Sequence, residues 1–385
     1  MLVLVSDPDC MARPRSAVDL LTDTVRLLLA DHKRELLQPL ARCHYGTGRP
    51  LGSTTQQERI LTVRAAVLKK LGGPPEYGEF PEPTSARDHT IVRVAAAGVH
   101  HHVLHVASGS FYTGPPELPS VPGSDGVGRL PDGRRVYFDV TRSPFGSWAE
   151  YASVPEAACL PVADGIDDAT AAALGNTGLA AWTALQWRAG LQPGETVVVL
   201  GATGSLGRVA IQAAKALGAG RVVAVDLDSD RLRALSTQGA DAVVAIDGRD
   251  DLAERLRNAA DGGADVTIDP LWGAPALAAM QAAARGARHI QLGTSAGQSL
   301  EFTAAALRSH MMDLRGFAVF RCPVDVRREA YRMLTQHVAD GNIVIDLEVV
   351  PLSEVATAWD RQLTGAGTKL VFDIADDPHT PERRS

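Results

Sequence analysis

Val197-Val-Val-Leu-Gly201-Ala-Thr-Gly204-Ser-Leu-Gly207-Arg208, continued by Val209-Ala-Ile-Gln-Ala-Ala-Lys-Ala-Leu217 and by Val223-Ala-Val-Asp226, decides the fold. The first apolar run reads as a strand buried on both faces. Three glycines then make a tight turn, and the next stretch spaces its apolar residues as a helix packed on a sheet does. A second apolar strand closes on a carboxylate, Asp226, nineteen residues past Gly207. The glycines alone are also consistent with an ordinary strand–helix turn. Strand, turn, helix, strand and acid in this order point instead to a dinucleotide site. Gly201, Ala202, Thr203, Gly204, Ser205, Leu206 and Gly207 bring backbone amides to a pyrophosphate, and Asp226 accepts the ribose hydroxyls.

The same alternation continues outward. Apolar strands are expected at 196–200, 221–225, 242–246, 265–269, 287–292 and 313–317, with helices over 205–217, 229–237, 250–260 and 275–285 between the first five. That is the pattern of an α/β, doubly wound parallel sheet. Upstream, short β-like runs at 63–68, 90–97, 134–138 and 148–154 are broken by proline and glycine, as in an antiparallel barrel. Downstream, a strand is expected over 342–350, a helix capped by Ser353 to about 363, and a last strand at 368–372, so the tail returns to complete the first domain.

Residues 1–60 differ in texture. Leu20, Leu21, Val25, Leu28, Leu29, His32, Leu36 and Leu37 fall on one helical stripe before Pro39, and 46–55 reads as a linker. This extension is either a docking or dimerisation helix or an appendage without a part in the chemistry, and the second reading is preferred.

With 385 residues the chain is long enough for two domains, and a net charge of −7 argues against nucleic acid or an anionic membrane as partner. Four scattered cysteines show neither zinc-ligand nor disulfide spacing. Without a bilayer-length apolar run or a basic leader, a cytoplasmic protein is expected.

Further stretches carry a resemblance. Arg64-Ala-Ala-Val-Leu, Ala96-Ala-Gly-Val, Pro122-Gly-Ser-Asp-Gly-Val-Gly, Gly133-Arg-Arg-Val, Ala149-Glu-Tyr, Gly194-Glu-Thr-Val-Val-Val-Leu-Gly-Ala-Thr-Gly and Thr368-Lys-Leu-Val resemble, in order, the medium-chain dehydrogenase/reductase superfamily. Within it the likeness is to the zinc-independent quinone oxidoreductase-like branch. The resemblance implies a Rossmann domain over 181–318, inserted in a split GroES-like barrel over 61–180 and 319–376, with a polar tail at 377–385. It also implies a cleft between the two for a small-molecule substrate, and a homodimer.

Where zinc alcohol dehydrogenases of the superfamily place metal ligands, this chain has His100, Ser124-Asp125 and Gly175-Asn176, and the four-cysteine zinc lobe is absent. No zinc is therefore expected, and electrophilic activation falls to hydrogen bonds. By the family's order His101 falls near the pyrophosphate, while His102 and His105 fall on a proton relay. Those histidines also admit two other readings, a merely tolerated polar loop or a metal site completed by Asp125. Tyr112 falls in a loop near the nicotinamide, as a proton donor or a packing aromatic. Asn176 and Thr177 resemble nicotinamide-ribose positions or helix caps, and Gly293-Thr294-Ser295 is expected at the nicotinamide. Trp148 and Trp272 read as packing residues.

Asp226 favours NAD(H) over NADP(H), because a carboxylate repels a 2′-phosphate, although Arg231 one turn on keeps NADP open. The expected activity is hydride transfer from the dinucleotide to a quinone, enone or other activated carbonyl. A metal-dependent alcohol dehydrogenase with a histidine-rich site is one alternative. A nucleotide-binding redox sensor or structural protein without turnover is another.

Overall fold

The computed structural model describes residues 61–375, so the extension over 1–60 and the tail at 377–385 lie outside the described residues. The chain runs through β1 (Thr62–Val67), β2 (Glu76–Pro81), β3 (His89–Gly98), the short helix α1 (His101–Ala107), β4 (Gly126–Arg129), β5 (Arg135–Phe138), β6 (Tyr151–Pro155) and β7 (Cys159–Pro161). Helix α2 (Asp168–Thr183) leads into β8 (Thr196–Leu200), α3 (Ser205–Ala216), β9 (Arg221–Leu227), α4 (Asp230–Ala234), β10 (Ala242–Ile246) and α5 (Leu252–Ala259). Then come β11 (Ala264–Asp269), α6 (Gly273–Gln281), β12 (Ala283–Gln291), α7 (Ala304–His310) and β13 (Asp313–Gly316). The last elements are α8 (Val324–Ala339), β14 (Leu347–Pro351), α9 (Val355–Thr364) and β15 (Lys369–Asp373).

Strands β8 to β13 form one parallel sheet in the order β10-β9-β8-β11-β12-β13. Helices cover both faces, which is why β8 reads Val-Val-Val-Leu without alternation: Val197 to Leu200 are at most 1% exposed. The strand order reverses between β8 and β11, and ligands of such sheets lie beyond the carboxyl ends at that point. The other large sheet runs β14-β15-β3-β4-β5-β7, with β6 also on β3, and is antiparallel except for β14 on β15. Its strands come from both sides of the parallel sheet in sequence, so the fold is a Rossmann sheet inserted in a split GroES-like barrel.

Helix α2 joins the two sheets. Asp167 starts it by accepting the Thr170 amide at 2.7 Å. Its alanines let it pack closely against α3, α8, β3 and β15, and every residue from Ala171 to Thr183 is buried except Asn176. Gly175 breaks the helix (φ −39°, ψ −114°). A Cβ there would lie 2.5 Å from the Tyr137 ring and 2.8 Å from Asp125 Oδ2, so only glycine admits this approach.

Three local expectations are corrected. Residues 283–285 belong to β12, not to a helix over 275–285, because Ala283 pairs with Ala264 and the sheet overrides alanine's helix propensity. Residues 342–346 are not strand: the backbone N–H and C=O of Val344 are taken by the Gln212 side chain, at 2.8 and 2.9 Å. Trp148 precedes β6 and is fully buried, its indole N–H donating to the Gly98 carbonyl at 3.2 Å. Strands β2, β4 and β7 are not among those expected from the sequence, being short or interrupted by glycine and proline. In Gly-Val-Gly-Arg of β4 two glycines dilute the strand propensity of the single valine, and Gly128 is needed because a Cβ there would lie 2.2 Å from the Arg93 carbonyl oxygen.

Candidate functional site

At the end of β8 Gly201 turns the chain with φ +62°, and the Ala202 amide ties the turn to Val225 at 3.1 Å. Helix α3 starts at Ser205 with no side-chain cap, leaving first-turn amides free at the positive end of a twelve-residue helix. A Cβ on Gly207 would sit 2.4 Å from the Gly201 oxygen, so the helix reaches the turn only because Gly207 lacks one. This bare backbone cradle fits a pyrophosphate. Asp226 ends its burial at the tip of β9. Its Oδ2 accepts Thr203 N–H (2.9 Å) and Thr203 Oγ1–H (2.6 Å), and Oδ1 accepts Leu227 N–H (2.8 Å). A carboxylate has about four acceptor sites, so capacity remains for a ribose hydroxyl.

Arg231 is exposed and lies against Gly367; with Thr203, Arg208 and Asp346 it lines a cavity of about 340 Å³ beside the glycine turn. After β12, Gly293 packs so tightly on Pro270 that a Cβ would lie 2.6 Å from its carbonyl oxygen. Ser295 donates to the same oxygen, and Thr294 Oγ1 accepts from Gln298 at 3.3 Å. This loop therefore leaves the carboxyl edge of the parallel sheet.

A second constellation joins β3, β4, α2 and β15. Asp125, 1% exposed, accepts His100 Nε2–H at 2.6 Å through Oδ1. Its Oδ2 accepts the Asn176 amide at 3.1 Å and lies 3.4 Å from the Tyr137 hydroxyl. Burial alone would raise the Asp125 carboxyl, but the charge and hydrogen bond of His100, the Lys369 ammonium and the Asn176 amide together hold it below the usual range. Lys369 is itself buried and donates to the Val99 carbonyl at 2.9 Å. Burial pushes its ammonium down to about 8, opposed by the attraction of Asp125. Asp125 thereby fixes where α2 restarts after the Gly175 kink, and so where Asn176 stands.

Asn176, His102 and Ser124 line a cavity of about 460 Å³ that extends into the barrel. The Ser124 hydroxyl is buried without a partner, as is His100 Nδ1. His102 is pushed down to about 4 by burial first and by the neighbouring His100 second, so it is neutral near pH 7. Its ring lies edge-on to Phe111 (4.6 Å) and stacks on Phe320 (5.8 Å). Asp139, on the same wall, is paired with the buried Arg327 through Oδ2, while its Oδ1 has no partner.

The structure thus brings His102 and Asn176 to one cavity. Thr177 is buried beside them, and His105 and His101 project from α1 as exposed residues that line neither of these cavities. Partial burial of the His101 ring first, then the nearby His105, His100 and Lys369, lower its pKa. Tyr112 is 68% exposed and packs on the outside of Phe111 at 4.2 Å, with its phenol raised by partial burial. The sequence marks Ser124 only as a lost metal ligand, and Phe111, Phe320 and Asp139 carry no signal in it. The separation of 188 positions from Asp139 to Arg327 shows why: only the folded chain makes them neighbours.

The family described as "Zinc-binding dehydrogenase" matches residues 205–338, a span without His100, Ser124 or Asp125. An alcohol dehydrogenase of Geobacillus stearothermophilus is 28% identical over 338 residues, covering 79% of this chain and 97% of that one. The quinone oxidoreductase of Thermus thermophilus, solved also in complex with NADPH, superposes with a TM-score of 0.70 at 29% identity, covering 81% of this chain and 100% of the other. A probable oxidoreductase of Mycobacterium abscessus superposes with a TM-score of 0.70 at 28% identity over 82% of this chain and 99% of that one. Together these likenesses support the medium-chain dehydrogenase/reductase superfamily and its quinone oxidoreductase-like branch, and with it an NAD(P)-linked oxidoreductase.

Proposed function

We propose that the protein is a zinc-independent reductase that transfers hydride to a quinone, an enone or another activated carbonyl, with NADH preferred to NADPH. The observation that carries this reading is the donor set at the head of the larger cavity. His100 presents its Nε2 to Asp125, Ser124 offers a hydroxyl, and Gly175 leaves no room for a side chain. A catalytic zinc needs three nitrogen, sulfur or carboxylate ligands and an open position, and this set does not fit one.

A nicotinamide dinucleotide, held by the Gly201–Gly207 turn and Asp226, supplies the hydride when bound. Ser124 Oγ–H and the Asn176 side-chain amide donate to the acceptor oxygen on which negative charge grows, in place of a Lewis acid. Such donors act most effectively on acceptors whose charge delocalises as hydride arrives, which is why activated carbonyls are favoured. His102, neutral at working pH, hydrogen-bonds the same oxygen or returns a proton from solvent without adding a fixed positive charge. Asp125 acts through Asn176 as a positioning residue. NADH is preferred because the Asp226 carboxylate, held by Thr203, would meet a 2′-phosphate directly.

The test is oxidation of NADH and NADPH by full-length protein, dialysed against a chelator, with quinones, enones and aldehydes as acceptors and metal content measured in parallel. Turnover at substoichiometric metal is expected. Activity that tracks added zinc overturns the reading and favours the alcohol dehydrogenase alternative.

A further inference from the structure

The larger cavity has walls more selective than hydride transfer requires. Three aromatic or imidazole rings (His102, Phe111 and Phe320) form one side, and Leu68, Val103 and Val106 contribute aliphatic surface. Among the described residues that line it, none is lysine or arginine. Its two ionisable residues offer no free cation. His102 is neutral near pH 7, and the Asp139 carboxylate is already engaged by Arg327. An anionic group entering here would lose its hydration with no counter-ion to replace it, beside a carboxylate. The volume, about 460 Å³, lies in the range of pockets that enclose drug-sized molecules, roughly 300–1,000 Å³, and exceeds what a bare benzoquinone or a short enal fills.

We infer that the substrate of this site is a neutral enone or quinone carrying a sizeable apolar ring or chain, seated between the Phe111–Phe320 wall and α1, and that acyl chains ending in carboxylate or phosphate are rejected. This rests on the reductase reading above. The apolar tail is what the cavity recognises. Each methylene taken from water onto these walls raises kcat/KM by roughly three- to fourfold until the space is full.

Two series on the wild-type protein separate this inference from the reading beneath it. The first measures kcat/KM with NADH for alkyl-1,4-benzoquinones and trans-2-alkenals of increasing chain length, with their ω-carboxylated counterparts. The second measures Kd by calorimetry, without dinucleotide, for saturated 2-alkanones and the matching ω-oxo acids. With chain length kcat/KM is expected to rise and Kd to fall, both levelling off once the space is full, with the carboxylated members at least about a hundredfold weaker. Val106→Trp, which fills the cavity, is expected to abolish the ratio of long-chain to short-chain values within the same protein. Turnover that is flat with chain length, or indifferent to the carboxylate, overturns the inference and leaves the reductase standing. A Kd series that tightens with chain length, with no turnover of any acceptor, supports the cavity chemistry and overturns the reductase.

Discussion

Acidification should reveal His102. Burial first, and the neighbouring His100 second, push its imidazole from the usual 6.5 to about 4 in the folded protein. A depressed histidine binds fewer protons folded than unfolded between those two values. Stability is therefore greatest above pH 6.5 and falls as pH drops towards 4. Integrating the linkage relation gives a loss of about 2 kcal/mol between pH 7 and pH 5, and about 3 kcal/mol by pH 4. That is a large fraction of the roughly 5–15 kcal/mol that holds a typical domain folded. The perturbation is His102→Gln, which keeps polar atoms in the site but cannot titrate. Urea unfolding of both proteins at pH 7, 6 and 5 isolates the residue, because every other titrating group cancels in the difference. The wild type should lose about 2 kcal/mol relative to the variant over that interval. A difference constant within about 0.5 kcal/mol, or a His102 titration midpoint near 6 by NMR, would refute the reasoning and place a charged imidazole in the cavity.

The buried Lys369 makes a prediction at the other end of the pH scale. With the ammonium pushed down to about 8 from 10.5, the cost of burying it is fully felt below pH 8 and relieved as pH rises to 10.5, so wild type should gain about 3 kcal/mol over Lys369→Met across that window by unfolding titration. Gly207→Ala places a Cβ 2.4 Å from the Gly201 oxygen and should cost about 1–3 kcal/mol of stability and weaken dinucleotide binding. Gly204→Ala, whose Cβ meets that oxygen at 3.3 Å, should be milder in both, and equal effects would contradict the close-approach argument. Asp226→Ser removes the carboxylate but leaves an acceptor for Thr203, and should move the NADPH-to-NADH ratio of dissociation constants at least about tenfold towards NADPH; an unchanged ratio argues that Arg231 and its cavity dominate instead.

The parallel sheet, the glycine turn and Asp226 were legible because their determinants are local. Buried strands spell Val-Val-Val-Leu, a turn needs glycine, and strand and helix alternate in the order in which they pack. Where a local rule met a distant partner it failed. Val344 gave up its strand to Gln212, and Ala283-Ala-Arg285 gave up its helix to β11. At the candidate site the split is the same. The sequence, through the resemblance it carries, sets His100, Ser124-Asp125 and Gly175-Asn176 at the positions where zinc alcohol dehydrogenases hold their ligands, since such a comparison needs only residue type and order. Only the tertiary structure decided that Asp125 takes His100 and the Asn176 amide, that His102 and Asn176 face one cavity while His105 and Tyr112 stand outside it, and that Asp139 meets Arg327. Burial, charge pairing and cavity walls arise from residues far apart in the chain, and no spacing along it encodes them.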